Sequence, residues 1–559
     1  MIEMPITKFP DRIDSLAAMA FPTGRIPFAR FEQASTNNPM QRNGGSSRLD
    51  MDTLLPPSAD GGRSTPDDWQ DDRLLVVAQS DVFSSDHRDF LMFSARYQQD
   101  RRNLVMLGVG GLPAFCGWRS AQASESSAHP DAASGKARQV LVIFEQGGIS
   151  HVDTWDPKPE MPTEHASPFK TISTNVPGVF LTELFHKTAS HMDKLSIVRC
   201  MTQPTPGISN SHPKGSQYVF SGEAPGGPEE MPDIGSVVIS RMGTAARHLP
   251  GYIMVPGTDE QQENTRLGFL PPAYKVFKTG GQPHLSDWTV PNLGLLGVDD
   301  RRFKARTDML SRLDLGISGV QTSDTKALVS LRQQAADMLT NPGTRKAFDL
   351  KSEPESVRAK YGIGHRGQCY LLGRKLIEAG VRLVTIDCRE PPADAYPGGS
   401  NMNWDHHDFI YSTGSTEIAG GGAGAGRWGI GTWPMMGSTD QAFAALLEDL
   451  AERGLLQETL VCFVTEFGRT PRINERKGRD HWTHAFSIAF AGAGVPGGQV
   501  IGSTDREGGF ITSSVAYTLD DYAATIYEKL GIDRTQPLYT AANRPIMLAR
   551  KGNPIPELC

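Results

Sequence analysis

The chain has 559 residues, enough for one large domain or two to three ordinary ones, with 38% hydrophobic and 21% charged residues, as in globular proteins. A net charge of -7 argues against a nucleic-acid-binding protein, whose binding surface is basic. The six cysteines are scattered without a CxxC pair, so neither a disulfide framework nor a zinc–thiolate site is expected.

The first 91 residues show no pattern of a folded domain. Residues 1–91 are polar, rich in Pro, Gly and Asp, and weakly periodic, which predicts disorder or a start codon assigned too early. Met92 is the alternative start in the second case.

Residues 92–123 resemble a twin-arginine export signal. Arg101 and Arg102 precede an apolar run, and Ala121 and Ala123 follow it in an A-x-A arrangement. The run is too short for a stable membrane span, which takes ~20 apolar residues. A buried helix is the alternative, but the pattern favours an exported protein, periplasmic or extracellular.

A linker at 124–137 leads into a predicted single large α/β domain at 138–559. Continuous apolar runs with β-branched residues predict strands that are buried on both faces. These runs cover residues 139–144, 195–198, 252–255, 381–386, 459–464 and 486–490. Helical patterns cover 367–379 and 440–453, and a glycine follows each. Alternating strands and helices predict a mainly parallel sheet, with ligands at the carboxyl ends of its strands.

Polar residues follow the first two predicted strands. After the first strand, a Gly-Gly turn leads to side chains that could coordinate or hydrogen-bond a ligand, although an ordinary polar turn fits equally: Ser150, His151, Asp153 and Asp156. After the second strand, Asn210 and Ser211 lie at a predicted helix start. Ser211 could be a nucleophile there, or either residue could cap the helix.

Two later strands precede groups of ionisable residues. Four potential ligands stand together at Asp405, His406, His407 and Asp408. Imidazole with carboxylate suits zinc, manganese or iron, whereas carboxylate alone suits calcium or magnesium; a solvated loop is the alternative.

Glu466 closes the strand at 459–464, and an Asp480-His481 pair precedes the strand at 486–490. Arg469 or Arg479 could hold an anionic ester by two hydrogen bonds. Surface ion pairing is the alternative interpretation of these charges.

Four strings carry a family resemblance: GGISHVDTWDPKP (147–159), WDHH (404–407), TEFGRTP (465–471) and GRDHW (478–482). With them, the chain resembles the domain-of-unknown-function 1501 family over about 138–550, an exported bacterial group similar to sulfatases of the alkaline-phosphatase superfamily. The resemblance implies an α/β fold, a sulfatase-like three-layer sandwich with a mainly parallel central sheet.

The resemblance also implies a site. Its metal ligands would be Asp405, His407, Glu466 and His481, holding a divalent ion such as zinc, manganese or calcium. Ser211 would be the nucleophile, and Arg469 would steady the anion. Two features differ from the superfamily pattern: Phe467 stands where a histidine is usual, and Glu145 lies near the place of the first-strand Asp. A formylglycine string is also missing.

Two hypotheses for the function follow. The first is an exported metal-dependent hydrolase of a phosphate or sulfate ester, with a small-molecule or polysaccharide substrate and no nucleic-acid partner. The second is a non-catalytic binding or surface protein that keeps the fold with a degraded metal site. A nucleotide-phosphate loop at 420–426 is disfavoured, since that stretch lacks the P-loop spacing and is more typical of a flexible surface loop.

Overall fold

The computed structural model describes residues 137–203, 210–257, 265–291, 293–295, 297–316, 323–389, 404–414 and 428–559. The predicted export signal, the residues before it, the linker up to residue 136 and the glycine-rich stretch at 420–426 lie outside the described residues.

An eight-stranded sheet forms the centre of the α/β part of the chain. The strands of the described residues are β1 (Gln139–Phe144), β2 (Thr171–Ser173), β3 (Phe180–Thr182), β4 (Leu195–Met201), β5 (Tyr252–Pro256), β6 (Phe277–Lys278), β7 (Leu383–Asp387), β8 (Thr459–Val464), β9 (Gly468–Arg469), β10 (His481–Trp482), β11 (Phe486–Ala491), β12 (Gln499–Ile501), β13 (Leu538–Tyr539) and β14 (Pro545–Ile546). The sheet has the order β12-β4-β11-β8-β1-β7-β5-β6, and the other six strands form three two-stranded ribbons.

The sheet is mainly parallel, as the sequence predicts. β11 runs antiparallel to both of its neighbours, β4 and β8, while every other neighbouring pair is parallel. All six predicted strands lie in this sheet. β1 and β8 are in register, with Phe144 opposite Val464, so the residues that follow these two strands leave the sheet at the same level.

Nine α-helices lie among the described residues: α1 (His212–Ser221), α2 (Ile234–Met242), α3 (Asp300–Gly316), α4 (Ser323–Thr340), α5 (Pro342–Phe348), α6 (Glu355–Tyr361), α7 (His365–Glu378), α8 (Ser438–Glu452) and α9 (Leu519–Lys529). The two predicted helices are α7 and α8, each beginning two residues earlier than the sequence pattern. Short 3-10 turns cover Glu183–Phe185, Thr188–Lys194, Pro272–Tyr274, Leu350–Ser352, Leu455–Gln457 and Pro556–Leu558, and a π turn covers Trp433–Gly437.

Helices cover both faces of the sheet. Alternate residues of β1 point to opposite sides: Leu141 and Ile143 join a core with α7 and α8, whereas Val140 and Val142 join a core with α1, α2 and α9. Each such buried side chain contributes about 1.5–3 kcal/mol, so both faces hold the strands in register. The predicted three-layer architecture is therefore confirmed. In the described part of the chain, no helix is both long and apolar enough to span a bilayer.

Candidate metal centre

The strand directions bring distant parts of the chain to one edge of the sheet. The residues after β1 and β8 leave the sheet there, and the antiparallel β11 enters it from the same edge. β10 precedes β11 and pairs with β9, which places His481 opposite Arg469. This ribbon therefore carries the predicted Asp480-His481 pair back to the carboxyl ends of the parallel strands.

Asp405 lies at the centre of a cluster of basic side chains. Its Oδ1 atom is 3.1 Å from His212 Nε2, 3.0 Å from His407 Nε2, 3.0 Å from His481 Nε2 and 2.7 Å from Arg469 Nη2. Three imidazoles from three separate chain segments thus point the same ring nitrogen at one carboxylate oxygen.

Each of these imidazoles has an oxygen acceptor at its other ring nitrogen. The Nδ1 contacts are His212 to Glu466 Oε1 (2.6 Å), His407 to Asp480 Oδ1 (2.8 Å) and His481 to the Asn210 carbonyl (2.8 Å). A carboxylate or carbonyl oxygen only accepts, so each Nδ1 carries the hydrogen. In a neutral imidazole, Nε2 then presents a lone pair to the Asp405 oxygen, whereas in a protonated imidazole Nε2 donates to it.

This arrangement offers several ligand atoms to one cation. The Nε2 atoms of His407 and His481 are 2.9 Å apart, so either one ring donates a hydrogen to the other or a positive charge lies between two lone pairs. Ligand atoms at 2.0–2.1 Å from a tetrahedral zinc ion are about 3.3 Å apart, close to the spacing in this cluster. Ligand atoms of His212, Asp405 and His481 also lie within 4.8 Å of one another, which fits one bound ion.

The electrostatics of the cluster keep Asp405 ionised at neutral pH. Burial alone would raise the pKa of Asp405, but the Arg469 guanidinium and the three imidazoles outweigh it and hold that pKa well below its usual range. Burial, with Arg469 adding to it, lowers the pKa of His481 to about 4, so its imidazole is neutral at pH 7. Burial also disfavours the charged form of His212, but Asp405 and Glu466 outweigh it and raise its pKa.

Arg469 links Asp405 to the backbone of two neighbouring segments. The side chain is fully buried, and it donates from Nε to the Gly148 carbonyl at 2.8 Å, from Nη1 to the Arg479 carbonyl at 3.0 Å, and from Nη2 to Asp405 and the Gly147 carbonyl. Gly148 has φ +71°, and a Cβ there would lie 2.8 Å from the Phe467 ring, so this turn needs glycine.

Glu466 contacts the cluster through His212 and not through Asp405. Its Oε1 accepts from His212 Nδ1 and from the Gly147 N–H at 2.8 Å, and the side chain is fully buried. α1 comes close at this point, since a Cβ on Gly215 would lie 2.9 Å from Glu466 Cβ. Ser211 is the N-cap residue of α1 and is half-buried, and its hydroxyl makes no capping hydrogen bond.

Residues 137–559 match the family model described as "Protein of unknown function (DUF1501)". The chain belongs to this family. No curated protein matches the sequence.

Three solved structures are similar to the chain at low identity. They are the phosphonate monoester hydrolase SpPMH from Silicibacter pomeroyi (TM-score 0.29, 10% identity, 71% of this chain and 73% of that one), the phosphonate monoester hydrolase of Agrobacterium radiobacter (0.31, 9%, 75% and 77%) and the PsFucS1 sulfatase from Pseudoalteromonas sp. (0.24, 11%, 72% and 70%). TM-scores at this level do not establish a shared fold, so the architecture above rests on the strand order and the two cores.

The polar residues after β1 make their contacts outside the cluster around Asp405. The Ser150 hydroxyl donates to Asp153 at 2.5 Å, and Asp153 pairs with the buried Arg479 at 3.0 Å. His151 Nε2 contacts the Gly508 carbonyl at 2.7 Å, and Asp156 accepts from Thr504 and pairs with Lys158 and Arg199. These contacts hold the loops around the centre in place.

The structure brings Asp405, His407 and His481 together, as the sequence predicts. Glu466 contacts the cluster through His212, and the sequence did not point to His212 as a ligand. The position of His212 could have indicated it, because His212 follows Ser211 at the start of a helix that comes after a strand. The predicted roles of Ser211 as nucleophile and Arg469 as anion holder stay predictions.

Proposed function

We propose that this cluster holds a divalent metal ion and that the protein is a metal-dependent hydrolase of a phosphate or sulfate ester. The observation that carries the proposal is the convergence of three imidazole Nε2 atoms on one oxygen of the Asp405 carboxylate. Among the described residues, Arg469 and the protonated form of His212 donate to that oxygen, and a cation would give the lone pairs of His407 and His481 a partner as well.

The ligands would be His212, Asp405 and His481, with His407 joining them. Glu466 and Asp480 would each accept from the Nδ1 hydrogen of a ligating histidine, which orients the ring and makes it a stronger ligand. This differs from the sequence expectation in one respect, since Glu466 would act through His212 and not bind the metal itself.

A bound divalent ion supplies a Lewis acid for the ester oxygen and lowers the pKa of a nearby hydroxyl. Ser211 is the candidate nucleophile, because its hydroxyl is not used for capping and the next residue is a ligand. The first turn of α1 carries a partial positive charge and would attract the anionic group of the ester. Arg469 would keep Asp405 ionised and in place.

The test uses the full chain, purified without chelators. We expect a stoichiometric divalent metal by elemental analysis, and hydrolysis of an aryl phosphate, aryl sulfate or phosphodiester that a chelator abolishes and zinc, manganese or calcium restores. A protein without stoichiometric metal would overturn the proposal. Bound metal without hydrolysis of any of these esters would overturn the hydrolase and support the binding protein.

We further propose that the chain is exported through its twin-arginine-like segment. Arg101, Arg102 and the A-x-A arrangement after the apolar run support this location. Cell fractionation tests it: the wild-type chain is expected outside the cytoplasm, and an Arg101→Lys, Arg102→Lys variant is expected to stay inside. Equal distribution of the two chains would contradict export by this route.

A further inference from the structure

A second group of metal-ligating side chains lies outside the centre around Asp405. His365, Cys369 and Cys388 each offer a ligand atom, and these atoms all lie within 4.8 Å of one another. The three residues are buried, with 4%, 0% and 2% of their surface exposed. The proposed hydrolase uses none of them.

The fold explains why these residues meet although the cysteines are scattered in the sequence. His365 is the first residue of α7 and Cys369 follows one turn later, so both lie on the same face of the helix. The Cys369 Sγ atom is 3.9 Å from His365 Nε2. Cys388 directly follows β7, against whose face α7 packs, so the end of the strand supplies the second sulfur.

We propose that His365, Cys369 and Cys388 bind a divalent metal ion of the zinc type. Two thiolates and an imidazole are ligands that zinc prefers, and carboxylate-binding ions such as calcium and magnesium are excluded by the absence of oxygen donors in this set. Charge supports a divalent ion: two thiolates balance its two positive charges, so the buried site is neutral.

The ring of His284 lies beside this group and would have to turn towards it to become a fourth ligand. Its ring packs edge-on against the His365 ring, with the centroids 5.5 Å apart and an interplanar angle of 74°. A set of two cysteines and two histidines would close the coordination sphere, which is typical of structural zinc sites.

The position of the group suggests what the metal would stabilise. α7 also carries Arg366 and Tyr370, which hydrogen-bond Glu145 at the end of β1. A metal that ties the first turns of α7 to the end of β7 would therefore keep these two side chains in place. The proposal goes beyond the proposed hydrolase and does not depend on it, since its ligands differ in kind.

Cobalt(II) substitution of the full chain tests this proposal. We expect a sulfur-to-cobalt charge-transfer band in the near ultraviolet, which a nitrogen- and oxygen-liganded centre such as that of Asp405 does not produce. The Cys369→Ser and Cys388→Ser variants are expected to lose the band and one equivalent of metal. The matched control is Cys462→Ser, a buried cysteine of β8 in the other core, which is expected to keep both.

The wild-type spectrum decides the proposal even where a serine variant fails to fold. A metal-loaded wild-type chain without the thiolate band would overturn it, and so would a Cys369–Cys388 disulfide found by mass spectrometry of the unreduced protein. An Asp405→Asn variant separates the two centres, because it is expected to keep the thiolate band while it loses the other metal.

Discussion

Two buried carboxylates near the same edge of the sheet differ in what surrounds them. Glu145 receives hydrogen bonds from Arg366 at 2.9 and 2.7 Å, from Tyr370 at 2.7 Å and from Trp404 Nε1 at 2.7 Å. Asp405, the residue after Trp404, faces one guanidinium and the Nε2 atoms of three imidazoles.

This difference separates a structural carboxylate from a candidate ligand. Glu145 is satisfied by donors, so its charge is neutralised within the protein and a cation has no free oxygen to bind there. Asp405 lies among three imidazole Nε2 atoms, and a cation could bind these atoms and the Asp405 oxygen at once. Both carboxylates are buried, and their neighbours distinguish them: fixed donors surround Glu145, and imidazole rings surround Asp405.

The largest expected effect follows from replacing Asp405 by Asn. The amide keeps the size of the side chain but removes the anionic ligand, so we expect loss of the metal from this centre. Hydrolysis should fall by at least about 10³-fold, because a metal supplies several kcal/mol and each 1.36 kcal/mol is tenfold in rate. Elemental analysis and the ester assay measure the two effects.

Asp408→Asn is the matched control for this substitution. Asp408 is buried in the same string, but it pairs with Arg476 at 2.7 Å and lies outside the cluster. We expect this variant to retain metal and activity. Equal losses in both variants would show that the whole segment, and not the Asp405 oxygen, is responsible.

Replacing Glu145 by Gln should affect stability and leave the metal bound. Arg366 is fully buried and would lose its charged partner, which typically costs about 3–5 kcal/mol in the free energy of unfolding. Urea unfolding followed by circular dichroism measures this loss. Metal loss from a variant that is as stable as the wild type would mean that Glu145 belongs to the metal centre. Glu145 would then not be a purely structural carboxylate, which is what distinguishes it from Asp405.

The strands and the helix layers could be predicted from the sequence because both depend on local patterns. Apolar runs predicted six sheet strands. The rule that ligands lie at the carboxyl ends of parallel strands predicted that Asp405 and His481 belong to a site. The direction of β11 could not be predicted, since a buried parallel strand and a buried antiparallel strand can have the same apolar sequence pattern.

The division of roles between Glu145 and Glu466 could not be predicted for a similar reason. Each follows a buried strand at its carboxyl end, and no local feature distinguishes the two. Their partners do: Arg366 lies 221 residues from Glu145, and His212 lies 254 residues from Glu466. The lone pairs of the histidines likewise depend on acceptors that only the folded chain places beside them.

The Glu466→Gln variant distinguishes a carboxylate that binds the metal directly from one that only accepts a hydrogen bond from the ligand His212. If Glu466 acts through His212, the amide oxygen can still accept from Nδ1, and metal affinity should fall by about 10–100-fold, as for other partners of ligating histidines. Competition with a chromogenic chelator measures the affinity. A loss as complete as that of Asp405→Asn would show direct ligation, the role that the sequence predicts.

The smallest effect concerns His151, a polar residue near the centre that donates to the Gly508 carbonyl. Burial lowers its pKa below the ordinary value of 6.5, outweighing that carbonyl. The unfolded chain therefore takes up a proton near pH 6.5 while the folded chain does not. The stabilising contribution is complete above that pH and is lost as the pH falls from 6.5 towards the folded pKa.

We therefore expect wild-type stability to fall between about pH 7.5 and about pH 5.5, and His151→Gln to lose part of that slope while it keeps a donor for Gly508. Urea unfolding at several pH values measures the slope, with the exposed His484→Gln as the control that should retain it. Because burial holds His151 neutral without any metal, chelation should leave its share of the slope unchanged. If instead chelation removed the pH dependence of the unfolding free energy in the wild type, the titration of His151 would be coupled to the metal centre around Asp405. His151 would then have to be counted with the side chains of that centre and not with the structural ones.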